Sequence, residues 1–78
     1  TGRGFADIVF LPLPSVNKPA LVVELKYAQT ARSAIDQIKD RQYTKALEGY
    51  AGKILLVGIN YDKKDKTHSC IIEEMKKK

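Results

Sequence analysis

Apolar and polar positions alternate along this chain in blocks whose periods predict its elements. Phe5-Ala6-Asp7-Ile8-Val9-Phe10-Leu11 reads as a strand, with Phe5, Asp7, Val9 and Leu11 on one face and Ala6, Ile8 and Phe10 on the other. Residues 12–19 hold three prolines and an Asn, which break any ladder, so they form a loop. Leu21-Val22-Val23-Glu24-Leu25-Lys26-Tyr27 follows, five of its seven residues apolar, and predicts a strand buried on both faces. Strand, short loop and strand make an antiparallel hairpin the default.

The period then changes. Ala31, Ile35, Ile38, Gln42 and Ala46 recur at helical spacing, widened by Ala34 and Leu47, and give a stripe for a sheet face. Thr30 or Ser33 would cap the start, and Gly49 and Gly52 would end the helix near Tyr50. Lys53-Ile54-Leu55-Leu56-Val57-Gly58-Ile59-Asn60-Tyr61 is almost continuously apolar and predicts a central strand. A helix between it and the second strand implies a right-handed crossover and a parallel pair. After a polar turn at 62–66, Thr67–Glu73 returns as an edge strand. The expected class is α/β (α+β), a mixed sheet in the order β-β-α-β-β.

Length and composition narrow this further. Seventy-eight residues make one small domain, 1–78, which buries only a little over ~60% of its unfolded surface. A single cysteine, Cys70, excludes an internal disulfide framework and fits a reducing, cytoplasmic setting. Its alternating apolar context reads it as a small buried residue rather than a nucleophile. No apolar run approaches the ~20 residues that span a bilayer, so no membrane partner is expected. The net charge of +5 permits a polyanionic partner, although Lys76-Lys77-Lys78 reads as a solvated tail. A start at Thr1, without an initiating Met, suggests a piece of a longer protein.

The candidate chemistry lies in charges that the strand pattern does not call for. Glu24 and Lys26 are two apart and project from one face with Val22, and Asp7 is a lone carboxylate in the preceding strand, where Asp is disfavoured. The hairpin brings Asp7 and Glu24 to matching ends of neighbouring strands, with the register left open. A solvated surface pair, worth at most ~1 kcal/mol, would account for Glu24 and Lys26 alone; a catalytic carboxylate and lysine held on a rigid strand is the competing account. His68 stands by itself, without a second His or Cys at metal spacing, and reads as an edge residue. The tyrosines read as packing residues with a polar tip. Gly2-Arg3-Gly4 precedes a strand rather than a helix, so it is no phosphate-cradling loop, and no Ser-His-Asp set or Cys-x-x-Cys occurs.

Asp7, then Glu24-Leu25-Lys26, then a helix with Gln37 and Tyr43, then an apolar strand, resembles the PD-(D/E)XK nuclease superfamily. The runs Gly2-Arg3-Gly4-Phe5-Ala6-Asp7-Ile8, Val23-Glu24-Leu25-Lys26, Gln37-Ile38-Lys39 with Tyr43, and Leu55-Leu56-Val57-Gly58-Ile59-Asn60-Tyr61 resemble one bacterial branch, found C-terminal to AAA-ATPase-like regions. The resemblance implies a restriction-endonuclease-like fold that here lacks the family's leading helix and first strand. It implies metal-dependent phosphodiester hydrolysis, with Mg²⁺ or Mn²⁺ held by Asp7, Glu24 and the backbone carbonyl of Leu25. Lys26 would then stabilise the water or transition state, and Gln37 would position water or phosphate. Arg3, Arg41 and Tyr43 would contact nucleic acid, DNA in preference to RNA. An inactive module of the same fold that binds nucleic acid or protein is the alternative. The missing elements would leave a sheet edge and an apolar face uncovered, which predicts homo-oligomers, through strand exchange or the open edge.

Overall fold

The structure is a computed structural model that describes residues 7–13, 15–41, 47 and 49–75. The strands are β1 (Asp7–Phe10), β2 (Ala20–Tyr27), β3 (Ile54–Asp62) and β4 (Thr67–Glu74), with helix α1 (Ala31–Asp40) between β2 and β3. They form one mixed sheet in the order β1-β2-β3-β4. β1 and β2 pair antiparallel, β2 and β3 parallel, and β3 and β4 antiparallel, as expected of two hairpins joined by a helical crossover. Phe5 and Ala6, expected in the first strand, lie outside the described residues.

Every second side chain of β2 and β3 points to one face and is buried beneath the helix. Ala20, Val22, Ile54 and Leu56 meet Ile35, Ile38 and Leu47 there, with Tyr50, Ile71 and Met75 packed around them. The helix begins at Thr30, whose hydroxyl accepts from the Ser33 amide at 2.9 Å while the Ser33 hydroxyl accepts from the Thr30 amide at 3.3 Å. That reciprocal pair satisfies two donors which the first turn leaves open. It also settles the cap on Thr30, with Ser33 as its partner.

Three expectations are corrected. The helix stops at Arg41, whose amide donates to the Gln37 carbonyl, rather than near Tyr50; Tyr50 instead closes a separate turn onto Leu47. Gln42 and Ala46 of the predicted stripe lie outside the described residues. β2 is buried on one face only: Leu21, Val23 and Leu25 are half-buried and Tyr27 is exposed, because no described element covers that side. Cys70 is exposed for the same reason, since it pairs with Ile59 and so belongs to this open face.

Arg32 and Lys39, one on the first turn of α1 and one on the last, both reach Glu73 of β4, at 2.5 and 3.0 Å. The helix is thereby fastened along its length to the far side of the sheet. No helix among the described residues is long and apolar enough to cross a membrane.

Candidate active site

Glu24 and Lys26 occupy consecutive inward positions of β2, and the face they share is the one that α1 covers. Glu24 is fully buried and Lys26 is 7% exposed. A surface ion pair at a solvated sheet end is therefore excluded. A carboxylate and an ammonium have been carried into the interior, at an unrelaxed cost of several kcal/mol per ion that partners must offset. The Lys26 ammonium donates to Oε1 of Gln37 on α1, which ties the lysine to the helix crossing above it.

Asp7 opens β1, and its backbone lies directly opposite Glu24 in the antiparallel register. Directly opposed positions of such a pair belong to the same sheet face. The hairpin thus sets the two acidic positions side by side. On the other flank Gly58 pairs with Glu24 and Asn60 pairs with Lys26.

These two β3 residues were not anticipated as part of the site. A Cβ at Gly58 would stand 2.6 Å from the Ala31 carbonyl oxygen and 3.0 Å from Ala34 Cβ. Glycine at this position lets the helix sit on the sheet immediately beside Glu24. Asn60 is 6% exposed, and its Oδ1 accepts from the Gln29 amide at 2.9 Å. With Ala28 at φ 52° and its amide donating to the Tyr61 carbonyl at 2.9 Å, this locks the bend from β2 into α1. The signal was available: Gly58 and Asn60 interrupt an apolar strand at a spacing of two, as Glu24 and Lys26 do in β2.

Of the other candidates, Leu25 lies between Glu24 and Lys26 with its side chain half-buried on the opposite face. Arg41 is exposed and lines a concavity of about 560 Å³ with Asp36, Gln37 and Asp40. Arg3 and Tyr43 lie outside the described residues. His68 is exposed on β4 and takes no part in the buried face.

The donor chemistry suits a hard cation. Among the described residues no three His, Cys, Asp or Glu side chains gather into a ligand group. A cation held by Glu24 and Asp7 would complete its shell with backbone oxygen, phosphate and water, the pattern Mg²⁺ favours.

The family model of the PD-(D/E)XK nuclease superfamily matches residues 1–72. Searches of curated proteins and of solved structures each return no match.

Proposed function

The chain belongs to the PD-(D/E)XK nuclease superfamily, and from that premise we propose that it is a metal-dependent nuclease whose site is Asp7, Glu24, Lys26 and Gln37. The observation that carries the reading is the burial of Glu24 and Lys26 on one face of β2, opposite Asp7 in the register. A fold in need of stability alone would place Val or Ile at both positions. Within the superfamily we assign the chain to the branch that stands C-terminal to AAA-ATPase-like regions.

Glu24 and Asp7 would hold Mg²⁺ or Mn²⁺, with the Leu25 carbonyl as a further ligand. Bound there, the ion supplies charge neutralisation at phosphate and a lowered pKa for water. Lys26 places its ammonium where the non-bridging oxygens gather negative charge as the water oxygen bonds to phosphorus. The bond to the leaving oxygen then breaks, and a water proton ends on that oxygen. Such preorganised charge works best where solvent is excluded, and Lys26 is nearly so. Gln37 accepts from the Lys26 ammonium and so would hold it in position, beside the water or phosphate that it could also orient. Arg41, at the rim, would take a backbone phosphate, a contact that carries no sequence information.

Self-association is part of the same proposal. Val9 and Phe10 of edge strand β1 are 43% and 53% exposed, and an apolar edge of this kind favours pairing with a second chain.

The test is cleavage of labelled DNA with Mg²⁺ or Mn²⁺ by the wild-type chain and by Lys26→Ala, with calorimetric metal titration of wild type and Asp7→Ala/Glu24→Ala. Cleavage lost in Lys26→Ala and metal uptake lost in the double variant are expected. Equally poor metal uptake by both proteins, or cleavage indifferent to Lys26, would sink the proposal.

A further inference from the structure

We propose that Tyr27, Tyr61 and His68 form a stacking platform for unpaired bases, which makes single-stranded nucleic acid, or a single-stranded end, the substrate class of the neighbouring site. The inference rests on the nuclease reading for the role of that site. Its own basis is separate.

The three rings stand in a row across three strands. Tyr27 pairs with Tyr61 in the β2–β3 register, and Tyr61 pairs with His68 in the β3–β4 register. Tyr27 meets Tyr61 edge to face, with centroids 6.0 Å apart and planes at 86°. Tyr61 and His68 lie 4.8 Å apart at 42°. The row sits on the open side of the sheet, and Tyr27, at its margin, is 57% exposed. A tyrosine retained for packing alone would bury its ring against the sheet, as the apolar residues beneath α1 do. This one presents most of its ring to solvent while its backbone is fixed by the locked bend at Ala28.

Position and charge point to a nucleic acid. A cavity of about 470 Å³ at this end of the sheet is lined by Leu25, Lys26, Tyr27, Ile59, Tyr61 and His68. Lys26 therefore borders the aromatic hollow as well as the buried carboxylate face. Lys26 and Tyr27 are consecutive, with Cα atoms ~3.8 Å apart and side chains on opposite faces of β2, so a single strand would reach both by passing around the end of β2. The adjoining β3–β4 turn adds exposed Lys63, Lys64 and Lys66. Of its two aspartates, Asp62 is engaged in the turn itself, accepting from the amides of Lys64 and Asp65. Aromatic faces beside a basic approach are what single-strand binders use, because any unpaired base offers a π-face and a duplex hides its own.

The experiment is fluorescence anisotropy of a labelled oligo-dT and of a hairpin duplex with the full chain in EDTA, comparing wild type, Tyr27→Ala and Tyr27→Trp. The chain has no Trp, so Tyr27→Trp also provides a sole indole whose emission a stacked base quenches. Tyr27→Ala should weaken single-strand binding roughly 5- to 100-fold, the range for loss of one stacked base. Tyr27→Trp should retain it, with quenching, and the duplex affinity should move less than twofold. The proposal is overturned if wild type does not bind the oligo-dT, if Tyr27→Ala binds it as wild type does, or if single strand and duplex weaken together. Because the measurement is metal-free, a chain that binds through Tyr27 but never cleaves keeps the platform and loses the nuclease. One that cleaves without regard to Tyr27 does the reverse.

Discussion

The ammonium of Lys26, on the central strand β2, donates to the side-chain oxygen of Gln37 on the helix above it. The bond ties α1 to the covered face of β2, and it joins a nearly buried cation to a neutral acceptor. Gln37→Leu should therefore destabilise the fold by ~1–3 kcal/mol, the cost of withdrawing a partner from a buried polar group. Lys26→Met should cost less when Gln37→Leu is already present, because the demand for the acceptor has gone. A double-mutant cycle by urea unfolding measures this coupling, and additive effects would show that the two side chains do not support each other.

Glu24 should behave as a residue kept at the expense of stability. It is fully buried, and a neutral isostere there removes the desolvation penalty of its charge. Glu24→Gln is expected to be as stable as wild type or more stable by up to ~2 kcal/mol in metal-free buffer. In Mn²⁺ the order should reverse: the wild-type midpoint rises with ion concentration, as ligand binding to the folded state requires, and the variant's does not. Thermal melts across an Mn²⁺ series check both halves, and cleavage by Glu24→Gln should fall at least ~100-fold, the scale at which removal of a charge-stabilising group is felt.

How much of this was legible in the sequence depended on whether one strand or several had to be known. Glu24 and Lys26 share a face by the period of two alone, and the apolar blocks placed all four strands to within a residue or so wherever the chain is described. The pairing of Asp7 with Glu24 was not legible, because the nine-residue loop 11–19 is too long for its turn type to set the register. The end of α1 was missed because the apolar stripe runs on past Arg41 and nothing in periodicity marks a stop. Cys70 was misread because alternation tells which residues share a face, not whether that face is covered. The contributions of Gly58 and Asn60 needed the helix in place, since one is defined by Ala31 and the other by the amide of Gln29.

Gly58→Ala tests that close approach. The added methyl would meet the Ala31 carbonyl at 2.6 Å, and backbone cannot swing aside as a flexible side-chain tip can. The helix must lift, which should cost ~1–3 kcal/mol as overpacking does. Lifting α1 also withdraws Gln37 from Lys26, so activity should drop further than the unfolded fraction explains. Circular dichroism at the assay temperature gives that fraction, and a loss of cleavage no larger than it would mean that the helix seat matters for stability alone.

The last prediction concerns acid. Glu73 is held below its usual value of 4.5, first by the hydrogen bond from Arg32 and next by that from Lys39. A carboxylate whose folded pKa lies below its unfolded one binds fewer protons in the folded state, so it contributes stability that is present above the unfolded value. That contribution fades as the pH falls through 4.5 and is gone once the pH is below the folded pKa. Wild-type urea midpoints should therefore decline on acidification in this window, and Glu73→Gln should decline less steeply while starting lower at neutral pH. The ion pairs are exposed, so salt should shrink the difference between the two proteins. Parallel pH profiles for wild type and Glu73→Gln would show that Arg32 and Lys39 do not fasten the helix to β4 through this carboxylate.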